Sequence, residues 1–451
     1  MDLHLVQHKK ISVIGAVRSG VAVAVLLKNH GARVLVSDSS AAEKLQSSLR
    51  VLQSESIDYE TGRHSDRVFD CDLMVISPGV PSNAPVVVEA EKRKIKVVSE
   101  LEVGCWFCRA PLVAITGSNG KTTTTTLTGR ILSDAEKKHV VAGNIGTAFS
   151  SVVLDLAETD VAVLEVSSFQ LDTIDTFRPK ISVLLNITPD HMDRYDHSME
   201  KYAASKARVF KNQRGDDVLI YNADDEWTRN VVAQASCRKI GFRMKEEPGI
   251  GAFVDQGLLV TSINGTRTEV IATDQIGIKG MHNLYNSMAA VLVGQLLGVE
   301  PSSMRSTLKT FEGVEHRLEF VRRLNEVSYY NDSKATNVDS VWYALQSFKE
   351  PIVLFLGGRD KGNDYSKLTD LVRRQVKAIV AIGESADIVE RSFTGMTVVK
   401  KSSSMEEAVD LARFLAQPGD VVLLSPACAS FDWFKNYEHR GEVFKQLVNT
   451  L

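Results

Sequence analysis

The chain has 451 residues, 44% hydrophobic and 24% charged, a globular balance long enough, at about 150 residues per domain, for roughly three domains. A formal net charge of −3 excludes a general field for nucleic acid, so any phosphate must be held locally. The start lacks a secretory h-region, no apolar run nears the ~20 residues of a bilayer span, and the cysteines are odd in number and scattered; a soluble, cytoplasmic protein with reduced thiols is expected.

Apolar, β-branched runs alternate with amphipathic segments along the chain, which predicts an α/β fold of βαβ units. A strand over 11–16, a helix over 20–30 and a strand over 33–37 come first. The turn between the first two reads Gly15-Ala16-Val17-Arg18-Ser19-Gly20, with Val17 at the central glycine position of a dinucleotide loop. A side chain there crowds a pyrophosphate lying across the turn, which disfavours NAD but leaves room for the diphosphate and uridine of another nucleotide. A strand over 73–77 follows. Cys105-Trp106-Phe107-Cys108 has CxxC spacing without a second pair for zinc and is read as structural.

The strongest signal is a strand over 112–116 running into Gly117-Ser118-Asn119-Gly120-Lys121-Thr122-Thr123, with a helix opening near Lys121. Outward-pointing N–H groups at a helix start suit phosphate oxygens, the glycines admit close approach, Lys121 can neutralise transferred charge and Thr122 can bind magnesium. Ile115 stands where the general P-loop has its first glycine, so this is the shortened form G-x-x-G-K-T. The bland alternative is a strand-to-helix turn with a solvated lysine.

Glu165 lies near the end of an apolar strand over 161–166, where a carboxylate needs a cation; magnesium at the carboxyl edge of the sheet and a buried salt bridge are both open. His191 follows a strand over 181–187, and packing and metal binding are both open for it. In the helix over 198–211, Lys206 falls inside the apolar stripe of Met199, Tyr202, Ala203, Ala207 and Phe210. Burial there yields a neutral amine that carbon dioxide can carbamylate near a metal; a lysine that snorkels to the rim is the alternative. Further strands are expected at 218–221, 352–356, 379–382 and 421–424, and the stretch 251–273 reads as consecutive strands, an antiparallel insert or small flanking sheet, turning at Asn264-Gly265.

With these residues the chain resembles the Mur ligases, and among them the D-glutamate-adding group. The motifs are TGSNGKTT (116–123), AGNIG (142–146), EVSSFQL (165–171), NITPDHMDRY (186–195), HNLYNSMAA (282–290), EHRLE (315–319), NDSKATN (331–337), LGGRDKG (356–362) and SPACASFDWFKNYEHRG (425–441). The resemblance covers almost the whole length. It implies three α/β domains: a Rossmann-like UDP-binding domain over 1–100, a central P-loop ATPase-type domain over 101–312 carrying the insert, and a Rossmann-like domain over 313–451 with D-glutamate and nucleotide contacts. It further implies ATP-dependent ligation of D-glutamate to UDP-N-acetylmuramoyl-L-alanine through an acyl phosphate, by a monomer using two magnesium ions and closing its domains over the site.

By the same resemblance, Lys121 and Thr122 contact phosphate and magnesium, Glu165 is a first metal ligand, and His191 with a carbamylated Lys206 surrounds a second. Asn283, Arg317 and Asp332 belong to the ATP site together with residues 117–123. Asn144 and Ser167 face the muramoyl substrate, and Arg18, Ser19, Asp38 and Ser39 its UDP moiety. Ser333, Lys334, Thr336, Lys361, Ser430, Phe431 and Tyr437 face D-glutamate. Two departures stand out: GAVRSG is poorer in glycine than the family form, and Tyr437 replaces an expected phenylalanine. Rival expectations are another ATP-dependent acid–amino acid ligase such as a folylpolyglutamate synthetase, an NAD-dependent dehydrogenase, and a non-catalytic nucleotide switch.

Overall fold

The computed structural model describes residues 3–81, 83–360 and 362–451, and its strands form sheets of five, nine and six members. The five-stranded sheet is parallel, in the order Asp58–Thr61, Arg33–Asp38, Lys10–Ile14, Leu73–Ile76, Lys96–Ser99. The chain leaves its central strand Lys10–Ile14 toward one edge and returns on the other side at Leu73–Ile76. That reversal opens a crevice beyond the carboxyl ends of the strands, the usual ligand position in such sheets.

The helix Glu100–Phe107 follows, held by a buried carboxylate. Glu102 accepts hydrogen bonds from the Trp106 indole at 2.9 Å and from the amides of Asp175, Thr176 and Phe177 at 2.8–2.9 Å. A carboxylate so enclosed by donors fixes the helix to the loop that carries them.

In the nine-stranded sheet Leu112–Thr116 lies between Ile181–Leu184 and Val161–Glu165, all three strands buried along their length. The strand expected over 181–187 stops at Leu184, because the next residues turn to serve the neighbouring loop: Asn186 O accepts from the Ser118 amide and Asn186 Oδ1 from the Asn119 amide. The insert is three strands, Ile250–Asp255, Leu258–Ile263 and Thr266–Ala272, with positive φ at both Asn264 and Gly265 as a type I′ turn requires. It is not a separate flanking sheet, since Ile250–Asp255 pairs with Arg238–Phe242 and extends the central one.

The six-stranded sheet runs Glu319–Leu324, Val327–Asn331, Val421–Leu424, Ile352–Gly357, Val376–Ile382, Val398–Lys401, and only its first pair is antiparallel. The chain divides into two compact units, Met1–Gln275 with Tyr285–Lys309, and Ile276–Leu284 with Thr310–Leu451. Among the described residues no helix is long and apolar enough to cross a membrane.

Candidate active site

In the first unit, the loop after Leu112–Thr116 reaches the helix Lys121–Asp134 through Gly120 at φ +85°, a left-handed conformation that costs glycine nothing. A Cβ on Gly120 would lie 2.3 Å from Asn286 Oδ1, and one on Gly117 would lie 2.9 Å from Leu185 Cβ. Sterics therefore demand both glycines. Asn186 braces the loop with its side-chain amide, accepting from Asn119 N at 2.8 Å and donating to Asn119 O at 3.0 Å. Ser118 donates through its hydroxyl to Thr188 O at 2.8 Å, while Thr123 is buried in the helix's first turn. Lys121 Nζ folds back onto the carbonyls of Gly117 and Ser118, both at 2.8 Å.

Glu165 ends its strand beside this loop, 2% exposed. The Thr122 hydroxyl donates to its Oε2 at 2.7 Å and the Asn144 amide to its Oε1 at 2.9 Å. Both are neutral donors, and neither cancels the carboxylate's charge. Asn144 gets this close because Gly143, at φ +105°, brings the main chain against Glu165: a Cβ on Gly143 would sit 2.4 Å from Glu165 O. The oxygens of Thr122 and Glu165 form a hard donor set of the kind magnesium takes.

Lys206 is 1% exposed in the helix Met199–Ala207. Its Nζ donates at 2.8 Å to Gly117 O, the same oxygen that Lys121 uses, and lies 4.5 Å over the Tyr202 ring. Burial, then the Lys121 charge, hold its pKa well below the ordinary lysine value, against the opposing pull of Asp190 and Asp172. His191 has a left-handed backbone (φ +52°); its Nε2 stands 3.5 Å from Asp190 Oδ2 and its ring packs edge-on against Phe169 with centroids 4.9 Å apart. Ser167 caps the short helix Ser168–Asp172 in a capping box with Gln170.

Arg18, Ser19, Asp38 and Ser39 line a cavity of about 840 Å³ with Gly15, Val17, His64 and the segment 77–81. Asp38 accepts from the amides of Ala16 and Ser40, both at 2.7 Å, and so holds the glycine loop to its own strand end. Val17, 62% exposed, stands on the cavity wall. Gly143 and Asn144 line it too, so one asparagine belongs to the cavity and to the Glu165 cluster together.

The second unit carries the other candidates. Asp332 is buried beside Arg317, 3.8 Å from its guanidinium, and accepts from the Ser425 hydroxyl at 2.8 Å. Burial raises its pKa to about 6, against Arg317 and the Ser425 hydrogen bond. Asn283 is buried and donates to Lys279 O at 2.8 Å. Ser333 donates to Tyr437 O at 2.8 Å, Lys334 Nζ lies 5.2 Å over the Tyr437 ring, and Thr336 is half-buried. Ser430 is buried and Phe431 is 62% exposed. Lys361 lies outside the described residues.

Sequence reasoning missed His64, the 77–81 wall and the Asp172 and Tyr195 surroundings of Lys206. A polar turn after an apolar strand was the available signal for the wall.

Residues 115–294 match the Mur ligase middle domain, 316–428 the Mur ligase glutamate ligase domain, and 10–86 the MurD N-terminal domain. The UDP-N-acetylmuramoylalanine–D-glutamate ligase of Salinibacter ruber is 47% identical over 456 residues, 99% of each chain. The protein of that name from Chloroherpeton thalassium is 46% identical over 464 residues, again 99% of each. Of solved structures, MurF from Acinetobacter baumannii matches with a TM-score of 0.63 at 19% identity, over 97% of this chain and 93% of that one. The alanine ligase MurC from Thermotoga maritima gives 0.62 at 18%, over 98% and 100%. Those two speak for the fold alone. On domain matches along its length and full-length identities near one residue in two, the chain belongs to the Mur ligase family.

Proposed function

We propose that this chain joins D-glutamate to UDP-N-acetylmuramoyl-L-alanine at the expense of ATP, a cytoplasmic step in making peptidoglycan precursor, and that it works as a monomer. The names of its full-length relatives support the substrates. The observation that carries the chemistry is the hydrogen-bonded line Thr122–Glu165–Asn144, with phosphate-loop residues at one end and the nucleotide cavity at the other.

In this reading residues 1–100 hold the UDP moiety through Arg18, Ser19, Asp38 and Ser39, residues 101–312 hold ATP phosphates, and residues 313–451 hold D-glutamate. Thr122 and Glu165 would hold one magnesium ion, and His191 with a carbamylated Lys206 would hold a second; magnesium would supply charge neutralisation at the phosphates. The γ-phosphoryl passes to the alanyl carboxylate, giving an acyl phosphate and ADP, because a bare carboxylate has no leaving group. Lys121 and the loop amides stabilise charge on the transferred group. Asn144 orients the acceptor carboxylate. The D-glutamate amine then attacks, loses a proton, and phosphate leaves as the amide forms. Ser333, Lys334, Thr336, Lys361, Ser430, Phe431 and Tyr437 position D-glutamate, the lysines pairing with its carboxylates. Asn283, Arg317 and Asp332 hold the nucleoside end of ATP, with Asp332 on the ribose, and Ser167 lies on the muramoyl side.

The test is phosphate release and product mass with ATP, magnesium and UDP-N-acetylmuramoyl-L-alanine, adding D-glutamate, L-glutamate or neither. A new amide with D-glutamate alone is expected. Phosphate release that ignores the added amino acid would sink the reading.

A further inference from the structure

Ser37 and Glu60 are register partners in the parallel pair Arg33–Asp38 and Asp58–Thr61. The Ser37 hydroxyl donates to Glu60 Oε1 at 2.8 Å. Glu60 is further secured by the Ser65 amide at 2.9 Å and the Ser65 hydroxyl at 2.6 Å. Burial works against its charge, but the Ser65 and Ser37 hydrogen bonds and Arg67 outweigh it and keep the carboxyl below the usual range, so it is an acceptor only.

His64 follows that strand, lines the nucleotide cavity, and places Nδ1 2.7 Å from the same Ser37 oxygen. A hydroxyl has one proton. Glu60, ionised, has none to give, so the short contact between two oxygens consumes the Ser37 proton. The Ser37 oxygen must then accept from His64, which puts the imidazole proton on Nδ1. In the neutral ring Nε2 is left with its lone pair, and among the described residues it has no hydrogen-bond partner.

We propose that His64 is a specificity-determining residue of the cavity: held as the Nδ1–H tautomer by Ser37 and Glu60, it accepts through Nε2 a hydrogen bond from a donor on the bound nucleoside. This rests on the cavity holding a uridine nucleotide. The donors a uridine offers are the imide N–H of its base and the two hydroxyls of its ribose. An acceptor fixed by a hydrogen-bonded carboxylate discriminates against a nucleoside that cannot donate there, because the lone pair is then stranded.

The experiment titrates the full chain with UDP, 3-methyl-UDP, 2′-deoxy-UDP and 3′-deoxy-UDP by calorimetry, in wild type, His64→Ala and Glu60→Gln. In wild type the analogue lacking the relevant donor binds about tenfold more weakly than UDP. In His64→Ala that penalty shrinks to about twofold or less, while the other two penalties stay as they were. The pattern names the donor, base or ribose. In Glu60→Gln the amide can donate to Ser37, the Ser37 proton turns to His64, and the same penalty falls even though the imidazole is kept. All three penalties unchanged in His64→Ala, with UDP still binding, overturns the role of His64. No UDP binding to wild type overturns the cavity reading and the proposal with it. Thermal melts of both variants, expected near wild type because His64 is only half-buried, separate a lost contact from a lost fold.

Discussion

Among the described residues two cationic side chains are almost wholly buried, one in each unit, and they are held very differently. Arg440 in the second unit is 1% exposed and its guanidinium is spent: Nε donates to Ser333 Oγ at 2.9 Å, one terminal nitrogen to Ser333 O at 2.7 Å, and both terminal nitrogens to Cys428 O at 3.1 Å. Burial lowers its pKa only to about 10, and it stays charged at neutral pH. Lys206, equally buried, has one carbonyl at 2.8 Å and shares it with Lys121. A cation ringed by acceptors ties segments together. A cation short of them, with another cation on its one acceptor, is held where losing its proton is favourable, a useful state for chemistry and a poor one for stability.

The sharpest break in that comparison is Lys206→Ala. Turnover should fall about 10³-fold, with partial recovery when a short-chain carboxylic acid stands in for the proposed carbamate's oxygens; wild-type rates in steady-state assays would remove Lys206 from the mechanism. Next, Arg440→Met should cost about 3 kcal/mol of the second unit's stability, since it strands buried carbonyls; equilibrium urea unfolding measures this, and a loss near zero would mean those hydrogen bonds hold nothing.

Lys206→Met should do the opposite and raise the unfolding temperature of the first unit by a few degrees in CO₂-free buffer near neutral pH. The sign follows from the lowered pKa: the unfolded chain binds the extra proton, so the native lysine penalises folding below its ordinary value of 10.5, and the methionine advantage fades as pH climbs toward it. Smallest is the effect of Asp332, whose pKa of about 6 makes it a worse acceptor in acid. ADP affinity should weaken about threefold between about pH 7 and about pH 5, and the dependence should flatten in Asp332→Asn. A wild-type profile parallel to that of the variant would take Asp332 off the ribose.

How much of this could be read in advance depended on range. The glycine loop is local: strand, glycines, Lys121-Thr122 and helix lie within a dozen residues, whereas its braces Asn186 and Thr188 and its partner Glu165 lie 43 to 70 residues away. Lys206 stood out for the same reason, as a break in one helical stripe, but the stripe left burial and a rim-seeking lysine both open, and the fold buries it. Of the strands that escaped reading, Asp58–Thr61, Lys96–Ser99, His139–Gly143, Glu319–Leu324 and Val398–Lys401 lie at sheet edges, where one side has no strand partner, while Arg238–Phe242 and Val327–Asn331 lie inside their sheets. Sites built across the chain were silent. Nothing near Ser37 announces Glu60 or His64, and nothing near Arg440 announces Ser333, because sequence separation hides what register and packing bring together.

Asn144 has one last consequence. One residue lines the cavity and donates through its amide to the carboxylate proposed to hold a cation, and Gly143 packs against the main chain of Glu165 between them. Any occupant of the cavity that draws Asn144 away from Glu165 changes that carboxylate's affinity for a cation by some factor. Reciprocity then requires the cation to change the occupant's affinity by the same factor. Two ligands that never meet would share one equilibrium, written in an amide two bonds long.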